Sequence, residues 1–270
     1  MPYPDCLLPI SKDYTMIEAA VVEAAFAGCD SIWIVCNDDI SPVIRHRIGD
    51  FIQDPLYFYK NNKYASLNRR RIPIFWVPVH PKDRDKRDCL SWSVLHGALT
   101  SLKVSSQLSK WMTPDKYYVS FPFGIFDPRP LKDYRTKIRS KSNFYVKSNG
   151  HSLDNNLFCS FTFGKEEFIK YRKNIRNGTG AYTSETNDKG IPNKRLPIEQ
   201  RWSARFFNLN QVFTELDFDN SNVYDTPEFY NVSDWRSYCS LLSSEYAKNI
   251  VRPTRELFSY REFNSIAKDT

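Results

Sequence analysis

Nucleophilic catalysis is the first chemistry that the side chains suggest, because a serine, a histidine and an aspartate stand near one another in the sequence. Ser93 and His96 lie within a predicted helix, and Asp88 precedes it. A catalytic triad also needs a nucleophile held on a sharp strand-to-helix turn and groups that form an oxyanion hole. No motif of that kind accompanies these residues. We therefore interpret His96 as a packed or surface histidine.

Metal binding through sulfur or imidazole is the second chemistry to consider. The six cysteines are far apart in the sequence: Cys6, Cys29, Cys36, Cys89, Cys159 and Cys239. No Cys-x-x-Cys pair and no Cys/His cluster has the spacing of a zinc site. With four histidines in the whole chain, a histidine-based metal site is not indicated either. We predict that the cysteines are reduced, buried thiols of a cytoplasmic protein.

Contact with phosphate is the third chemistry to consider, because the chain has 38 Lys and Arg residues and 31 Asp and Glu residues, which gives a net charge of +7. The basic stretch Lys132–Lys147 also contains Tyr134, Phe144 and Tyr145, a combination that suits phosphate contact with base stacking. The same stretch fits a solvated basic edge of an α/β protein, which we favour. A further basic stretch covers Lys165–Arg176. Nucleic acid is thus a less favoured partner that the residues leave open.

Length and composition describe an ordered globular chain. The 270 residues suit one large domain, and 41% hydrophobic with 26% charged residues argues against disorder. No run of about 18 apolar residues occurs, so no membrane span is expected. The first five residues lack the features of a signal peptide. We predict a cytoplasmic protein with a single domain at residues 1–250 and a C-terminal tail at residues 251–270.

Helices and strands alternate in the first half of the chain. Thr15 and Glu18 form a capping box, and a helix runs from there to a stop at Gly28. The apolar run Ser31–Cys36 follows, typical of a central parallel strand that is covered on both faces. We then predict a helix over residues 41–52, a strand over 72–79, a helix over 91–108 and a strand over 117–121. The prolines of the 72–79 strand indicate a position near a sheet edge, or bends.

The second half is less regular. We predict strands over residues 143–147, 157–163 and 201–208, helices over 166–174, 210–216 and 233–246, and a loop over 177–194. Strands that alternate with helices are typical of βαβ units with right-handed crossovers. The fold class is therefore α/β, with a mainly parallel sheet and a mixed second half.

Three segments of the chain resemble the sugar nucleotidyltransferase family, the nucleoside-diphosphate-sugar pyrophosphorylases. The first is Pro4–Ile10, followed by Met16-Ile17-Glu18 and by Ala27-Gly28 before an apolar strand. In the family, Pro-Lys-x-Leu-Leu-Pro-Ile precedes a helix that opens with Met-Ile. Ser91–Ala98 is similar to a family segment next to the nucleotide base. Tyr224–Tyr230 resembles the Asp-x-x-Thr-Pro-Glu-type segment, whose aspartate holds Mg²⁺ in many members.

The resemblance implies a three-layer Rossmann-like nucleotide-diphospho-sugar transferase fold. It implies transfer of a nucleotidyl group from a nucleoside triphosphate to a sugar 1-phosphate, with release of pyrophosphate. Ser91, Trp92 and Ser93 become the candidate substrate-binding residues, and Asp225 and Asp127 the candidate ligands of Mg²⁺. Thr226-Pro227-Glu228 can also be interpreted as a helix N-cap followed by a first-turn acid.

The chain also departs from the family pattern. The Gly-x-Gly-Thr-Arg loop that precedes the Pro-Lys segment is absent, and Asp5 stands at the lysine position. The strand that ends in Gly-Asp in the family here runs into Phe121–Gly124, which leaves Asp127 as the nearby carboxylate. Either upstream residues supply the loop, or the chain has lost it. An active enzyme and a catalytically degenerate basic α/β module that binds a nucleotide, a sugar nucleotide or nucleic acid therefore both stay open.

Overall fold

The computed structural model describes residues 4–58, 70–79, 83, 89–108, 113–179, 197, 203, 206–213, 218–250, 253 and 257–259. Half of the predicted 201–208 strand and most of the predicted 177–194 loop lie outside these residues. The described residues of the first, 203 and 206–208, are not in a strand, so the prediction is wrong there. The described part is a mixed α/β fold, as predicted. No helix in it is long and apolar enough to cross a membrane.

The helices and strands alternate along the chain. The α-helices are α1 Met16–Ala27, α2 Ser41–Ile48, α3 Pro55–Phe58, α4 Leu90–Leu108, α5 Leu131–Ile138, α6 Lys165–Gly178, α7 Leu209–Phe213, α8 Trp235–Ser243 and α9 Glu245–Asn249. The strands are β1 Pro9–Ser11, β2 Tyr14–Thr15, β3 Ile32–Cys36, β4 Phe51–Gln53, β5 Arg71–Pro78, β6 Lys116–Val119, β7 Gly124–Ile125, β8 Asn143–Lys147, β9 Phe161–Gly164, β10 Phe218–Asp225 and β11 Tyr230–Asn231.

The first helix begins and ends where its capping residues predict. The Glu18 carboxylate accepts hydrogen bonds from the backbone N–H and the hydroxyl of Thr15, both at 2.8 Å. Gly28 ends α1 in the left-handed region, at φ 84°, and its N–H donates to the carbonyls of Ala24 and Ala25. A side chain at Gly28 would also collide with Arg135, whose Cδ lies 2.9 Å from the position of a Cβ. This turn therefore requires glycine for two reasons, the positive φ and the close approach of Arg135.

A three-stranded sheet in the order β3-β5-β4 carries the first half of the chain. The predicted parallel direction of β3 is confirmed, with Ile32 opposite Ile74 and Cys36 opposite Pro78, but its predicted central position is wrong, because β3 is at the edge of this sheet among the described strands. The predicted edge position of β5 is wrong, because β4 pairs with its other side in antiparallel fashion. Its prolines fit a central strand because Pro78 is the last residue of β5 and Pro73 lies before the first residue paired with β3.

The second helix is shorter than predicted. It ends at Ile48 because Gly49 takes φ 85° and ψ −161°, a conformation in which a helix cannot continue. Residues 51–53, expected in the helix or just after it, instead form β4 against β5.

A four-stranded sheet in the order β10-β8-β9-β6 carries the second half. β8 and β10 are parallel, whereas β9 is antiparallel to both β8 and β6. Of the seven strand pairs in the described residues, β3–β5 and β8–β10 are the parallel ones. The sheets are therefore mixed, and the parallel share of the described strands is smaller than expected. Apolar runs indicate burial, but they do not indicate strand direction.

Buried hydrophobic residues form three clusters. The first joins α1 and α2 to the β3-β5-β4 sheet and includes Met16, Ile34, Ile48 and Ile72. The second lies between α4, α6, α7 and the four-stranded sheet and includes Leu95, Phe161, Tyr171 and Phe213. The third joins the end of α1 to α5, β8 and β10.

A short segment near the C-terminus belongs to the first cluster. Leu257 is fully buried, Phe258 pairs with Ile52, and the backbone N–H of Ser259 donates to the carbonyl of Phe51. Part of the region predicted as a tail thus contacts the core, while the division at residue 250 stays a prediction.

Candidate functional site

Polar residues follow the carboxyl ends of the parallel strands β3 and β5. The backbone N–H of Val79 donates to the carbonyl of Cys36 at 3.2 Å, so the two strand ends lie side by side. A ring nitrogen of His96 lies 3.1 Å from the carbonyl of Pro78 and holds α4 against this edge. Ligands of open α/β sheets bind beyond the carboxyl ends of the strands. We call this region, with Asn37–Asp39 and the start of α4, the first carboxyl edge.

The predicted substrate-binding residues lie in the first turn of α4. Ser91 is 1% exposed, and its Oγ has no hydrogen-bond partner among the described residues. The Ser93 hydroxyl is already used, since it donates to the carbonyl of Cys89 at 3.4 Å. Trp92 packs against the second hydrophobic cluster. Ser91 is thus the residue of the three with an unused hydroxyl, and its role in binding stays a prediction.

A second carboxyl edge is formed by β8 and β10. Lys147 and Asp225 are the last residues of these two strands and lie opposite each other in the register. The Lys147 Nζ is 3.8 Å from an Asp225 carboxylate oxygen, and the Asp225 side chain is 55% exposed. A cation and an accessible carboxylate therefore stand together at a position where ligands bind in α/β proteins.

The segment after Asp225 is not a helix N-cap, and that interpretation of Thr226 is wrong. The Thr226 hydroxyl donates to the carbonyl of Glu228 at 2.9 Å, and its backbone N–H donates to Lys147. The chain then enters β11, which pairs with β7. The Thr-Pro-Glu turn serves to connect two strands, which fixes Asp225 at the end of β10.

The second predicted metal ligand, Asp127, is already bonded to a neighbouring arginine. Its two carboxylate oxygens accept hydrogen bonds from the Arg129 Nε at 2.9 Å and Nη2 at 2.8 Å. The backbone N–H of Arg129 donates to the same carboxylate at 3.0 Å. Burial, together with the charge of Asp127, raises the pKa of the nearby Tyr246 well above its ordinary value.

The structure brings the two aspartates into one region but gives each a separate cation. Phe126 and Tyr224, which precede them in sequence, have ring centroids 6.3 Å apart. In the described part of the chain, no group of three or more His, Cys, Asp or Glu side chains could hold a metal ion. Mg²⁺ is often held by one or two carboxylates together with substrate phosphates. The exposed carboxylate of Asp225 fits that role, and Asp127, bonded to Arg129, does not. Mg²⁺ itself stays a prediction.

The basic stretch of residues 132–147 is not a base-stacking surface. Phe144 is fully buried, Tyr145 is 8% exposed, and the half-buried Tyr134 packs against Phe144 and Tyr224. Its arginines serve the fold. The Arg135 guanidinium makes two hydrogen bonds to the buried Asp54, at 3.0 and 2.8 Å, and also donates to the carbonyls at the end of α1. Arg139 donates to the carbonyl of Gly28 at 2.8 Å. The interpretation as a basic edge of the fold is therefore the better one.

A buried carboxylate escaped the sequence analysis. Glu23 on α1 is 3% exposed and accepts hydrogen bonds from the hydroxyls of Tyr118 and Ser120, both at 2.7 Å, and from that of Ser160. Burial raises the pKa of Glu23 to about 7, although the three hydroxyls oppose the shift. Helical spacing could have indicated the burial, since Ala20 and Ala27 lie one turn before and after Glu23.

Comparison with known proteins gives limited similarity. No protein-family model matches the sequence. No curated protein matches it either. Among solved structures, the nucleoside-diphosphate-sugar pyrophosphorylase from Vibrio cholerae RC9 is similar with a TM-score of 0.48 and 11% identity, over 90% of this chain and 93% of that chain. UDP-glucose pyrophosphorylase complexed with UDP-glucose is similar with a TM-score of 0.48 and 14% identity, over 91% of each chain.

Proposed function

We propose that this chain transfers a nucleotidyl group from a nucleoside triphosphate to a sugar 1-phosphate and releases pyrophosphate. The observation that carries the proposal is the pair Lys147 and Asp225 at the carboxyl ends of two parallel strands. Asp225 opens the segment whose sequence resembles the metal-holding segment of the sugar nucleotidyltransferases. Its exposure to solvent is what a ligand-binding carboxylate needs.

The reaction asks the protein to position two anions and to neutralise their charge. The attack of the sugar phosphate on the α-phosphate is an in-line displacement, for which positioning and electrostatic stabilisation supply most of the catalysis. The Lys147 ammonium attracts phosphate oxygens to the second carboxyl edge. Mg²⁺ bound with the substrate phosphates would neutralise further charge, and Asp225 would hold it.

The first carboxyl edge suits the uncharged part of the nucleotide. The start of α4 offers backbone N–H groups that have no partner within the helix, and the Ser91 hydroxyl is unused. A nucleobase carries both donors and acceptors that such groups can bind. Ser91, Trp92 and Ser93 are accordingly proposed to line the nucleotide site.

An Asp225→Asn variant tests the proposal. Wild-type protein is incubated with each of the four nucleoside triphosphates, a panel of sugar 1-phosphates and Mg²⁺, and pyrophosphate is measured. We expect release that requires both substrates and that falls about a hundredfold in Asp225→Asn. The matched control is Asp133→Asn, an exposed aspartate on α5, which should leave the rate unchanged. Equal rates in the two variants would show that Asp225 does not take part in the reaction.

A second candidate function is a non-catalytic module that binds a nucleotide or a sugar nucleotide. The Asp127–Arg129 pairing favours it, because the Arg129 guanidinium already neutralises that carboxylate and competes with a metal for its oxygens. Isothermal titration separates the two functions. Sugar-nucleotide binding without any pyrophosphate release would support the module and contradict the enzyme.

A further inference from the structure

Helix α6 has one buried face and one strongly basic face. Phe168, Tyr171 and Ile175 point into the second hydrophobic cluster and are at most 3% exposed. An exposed flank beside that face carries five residues with the spacing i, i+4, i+7, i+8 and i+11, which we call the α6 stripe: Lys165, Ile169, Arg172, Lys173 and Arg176. Residues at these intervals lie along one side of a helix.

The positive charges of the α6 stripe are not neutralised within the protein. In the described residues, Lys165, Lys173 and Arg176 make no ion pair, and the Arg172 guanidinium lies over the Phe168 ring at 5.8 Å. Two acids lie in the first turn of α6. Glu166 is exposed and forms no ion pair with the stripe in the described residues, and the Glu167 carboxylate accepts hydrogen bonds from the Gly164 N–H and the Asn143 amide. Arg135 and Arg139, by contrast, are held by carboxylates and carbonyls.

The length of the stripe suits an extended polyanion. Residues 165 to 176 span about 17 Å of helix at about 1.5 Å per residue. Duplex DNA carries about one charge per 1.7 Å of its axis, so several phosphates lie within reach of four basic side chains.

The chemistry of the stripe favours nucleic acid over the other anionic partners. A helix that binds a membrane surface needs an exposed apolar face, and the apolar face of α6 is buried in the core. A specific protein interface usually has apolar or aromatic anchors at its centre, whereas Ile169, 50% exposed, is the apolar residue of the stripe. Cations along one flank of a helix without such anchors are typical of contacts with a phosphate backbone.

We propose that the α6 stripe is a nucleic-acid-binding surface that contacts the phosphate backbone without reading sequence. It is separate from the two carboxyl edges of the proposed nucleotide site, so either proposal can fail without the other. The four cations imply that the logarithm of the binding constant falls with the logarithm of salt concentration with a slope of about −3 for single strands and about −4 for duplex.

The test compares two triple variants that remove the same charge. One is Lys165→Gln/Lys173→Gln/Arg176→Gln, in the stripe. The control is Lys12→Gln/Lys132→Gln/Lys141→Gln, three exposed lysines on other parts of the surface. Binding of a fluorescein-labelled single strand and of the corresponding duplex is measured by polarisation between about 50 and 200 mM salt. Circular dichroism confirms that both variants fold, as expected for exposed positions.

The stripe variant should lose more than about tenfold in affinity at low salt, and its slope should become less steep by about 2 to 3. The control should stay within about threefold of wild type. Equal losses in the two variants would show a net-charge effect and overturn the proposal. So would stripe-dependent binding of phosphatidylserine vesicles or of poly-glutamate that is as tight as binding of the oligonucleotides. The single-strand and duplex arms then show which form of nucleic acid the stripe prefers.

Discussion

At the scale of single residues, Glu23 is a carboxylic acid held almost out of contact with water. It connects α1 to the second sheet through the hydroxyls of Tyr118, Ser120 and Ser160. Burial penalises its charged form, so the folded protein favours the protonated carboxyl. A hydroxyl network of this kind keeps a polar group in the core without a cation beside it.

The stability of the protein should fall as the pH rises through this region. The pKa of Glu23 is about 7 in the folded state against 4.5 for an unperturbed glutamate, so the unfolded chain releases its proton first. The contribution of Glu23 to the free energy of unfolding is then fully present below about pH 4.5 and falls by about 3 kcal/mol once the pH has risen through 7. Urea unfolding of wild type and of Glu23→Gln between pH 4 and 8 measures the effect, because glutamine cannot ionise.

Glu23→Gln should show a flatter pH profile than wild type and should be the more stable of the two at pH 8. Glu166→Gln is the matched control, since Glu166 is exposed on α6. Its profile should follow that of wild type. A Glu23→Gln profile parallel to wild type would show that Glu23 ionises in the folded state as it does in water.

At the scale of elements, Arg135 on α5 joins three parts of the fold. Its guanidinium contacts the carbonyls of Ala25 and Phe26 at the end of α1 and the carboxylate of Asp54 before α3. Asp54 is fully buried, while Arg70, at 3.7 Å, is its other cationic neighbour. Removal of one partner from a buried pair leaves a charge without compensation.

Arg135→Met should destabilise the protein by about 3 kcal/mol, because Asp54 would lose its two strong hydrogen bonds. The control is Arg45→Met, whose ion pair with Asp50 is about half-exposed on both sides. We expect that change to cost less than about 1 kcal/mol. Thermal unfolding measures both. Similar losses would mean that the Arg135 pair behaves as a surface ion pair.

The end of α2 provides a second test of an element boundary. Gly49 has φ 85°, and a Cβ there would lie 1.8 Å from the carbonyl oxygen of Ser259. Gly150 also has a positive φ, of 80°, but nothing lies within 4 Å of its Cβ position. Gly150→Ala should therefore cost about 1 kcal/mol from backbone strain alone, and Gly49→Ala clearly more, from strain and collision together. Chemical unfolding of both variants compares them, and equal costs would contradict the contact between Gly49 and Ser259.

At the scale of the whole molecule, local signals predicted elements well and pairing poorly. The capping box fixed the start of α1, the apolar periodicity located α4, and the bounds of β8 agree with the prediction. The sheet to which each strand belongs was harder to predict, because β6 pairs with β9, more than 40 residues away, and not with β3 or β5. Such contacts depend on the whole chain and leave little trace in a local pattern.

The candidate site shows the same contrast between residues that local sequence indicates and residues that only strand pairing brings together. The segment that contains Asp225 could be found from its neighbours in sequence, but its partner Lys147 comes from a different strand through the register of β8 and β10. Arg129, which pairs with Asp127, is only two residues away from it in sequence. No spacing rule, however, indicates the direction in which the Arg129 side chain points.

The fate of a labelled phosphate tests the central proposal most directly. Nucleoside triphosphates labelled in the α-phosphate are incubated with the protein, Mg²⁺ and each sugar 1-phosphate, and the products are separated. We predict that the label moves into a sugar nucleotide, that unlabelled pyrophosphate is released, and that both require a sugar 1-phosphate. Label that stays in the triphosphate for every nucleotide and sugar tested, or that appears in a nucleoside monophosphate without sugar, would contradict nucleotidyl transfer.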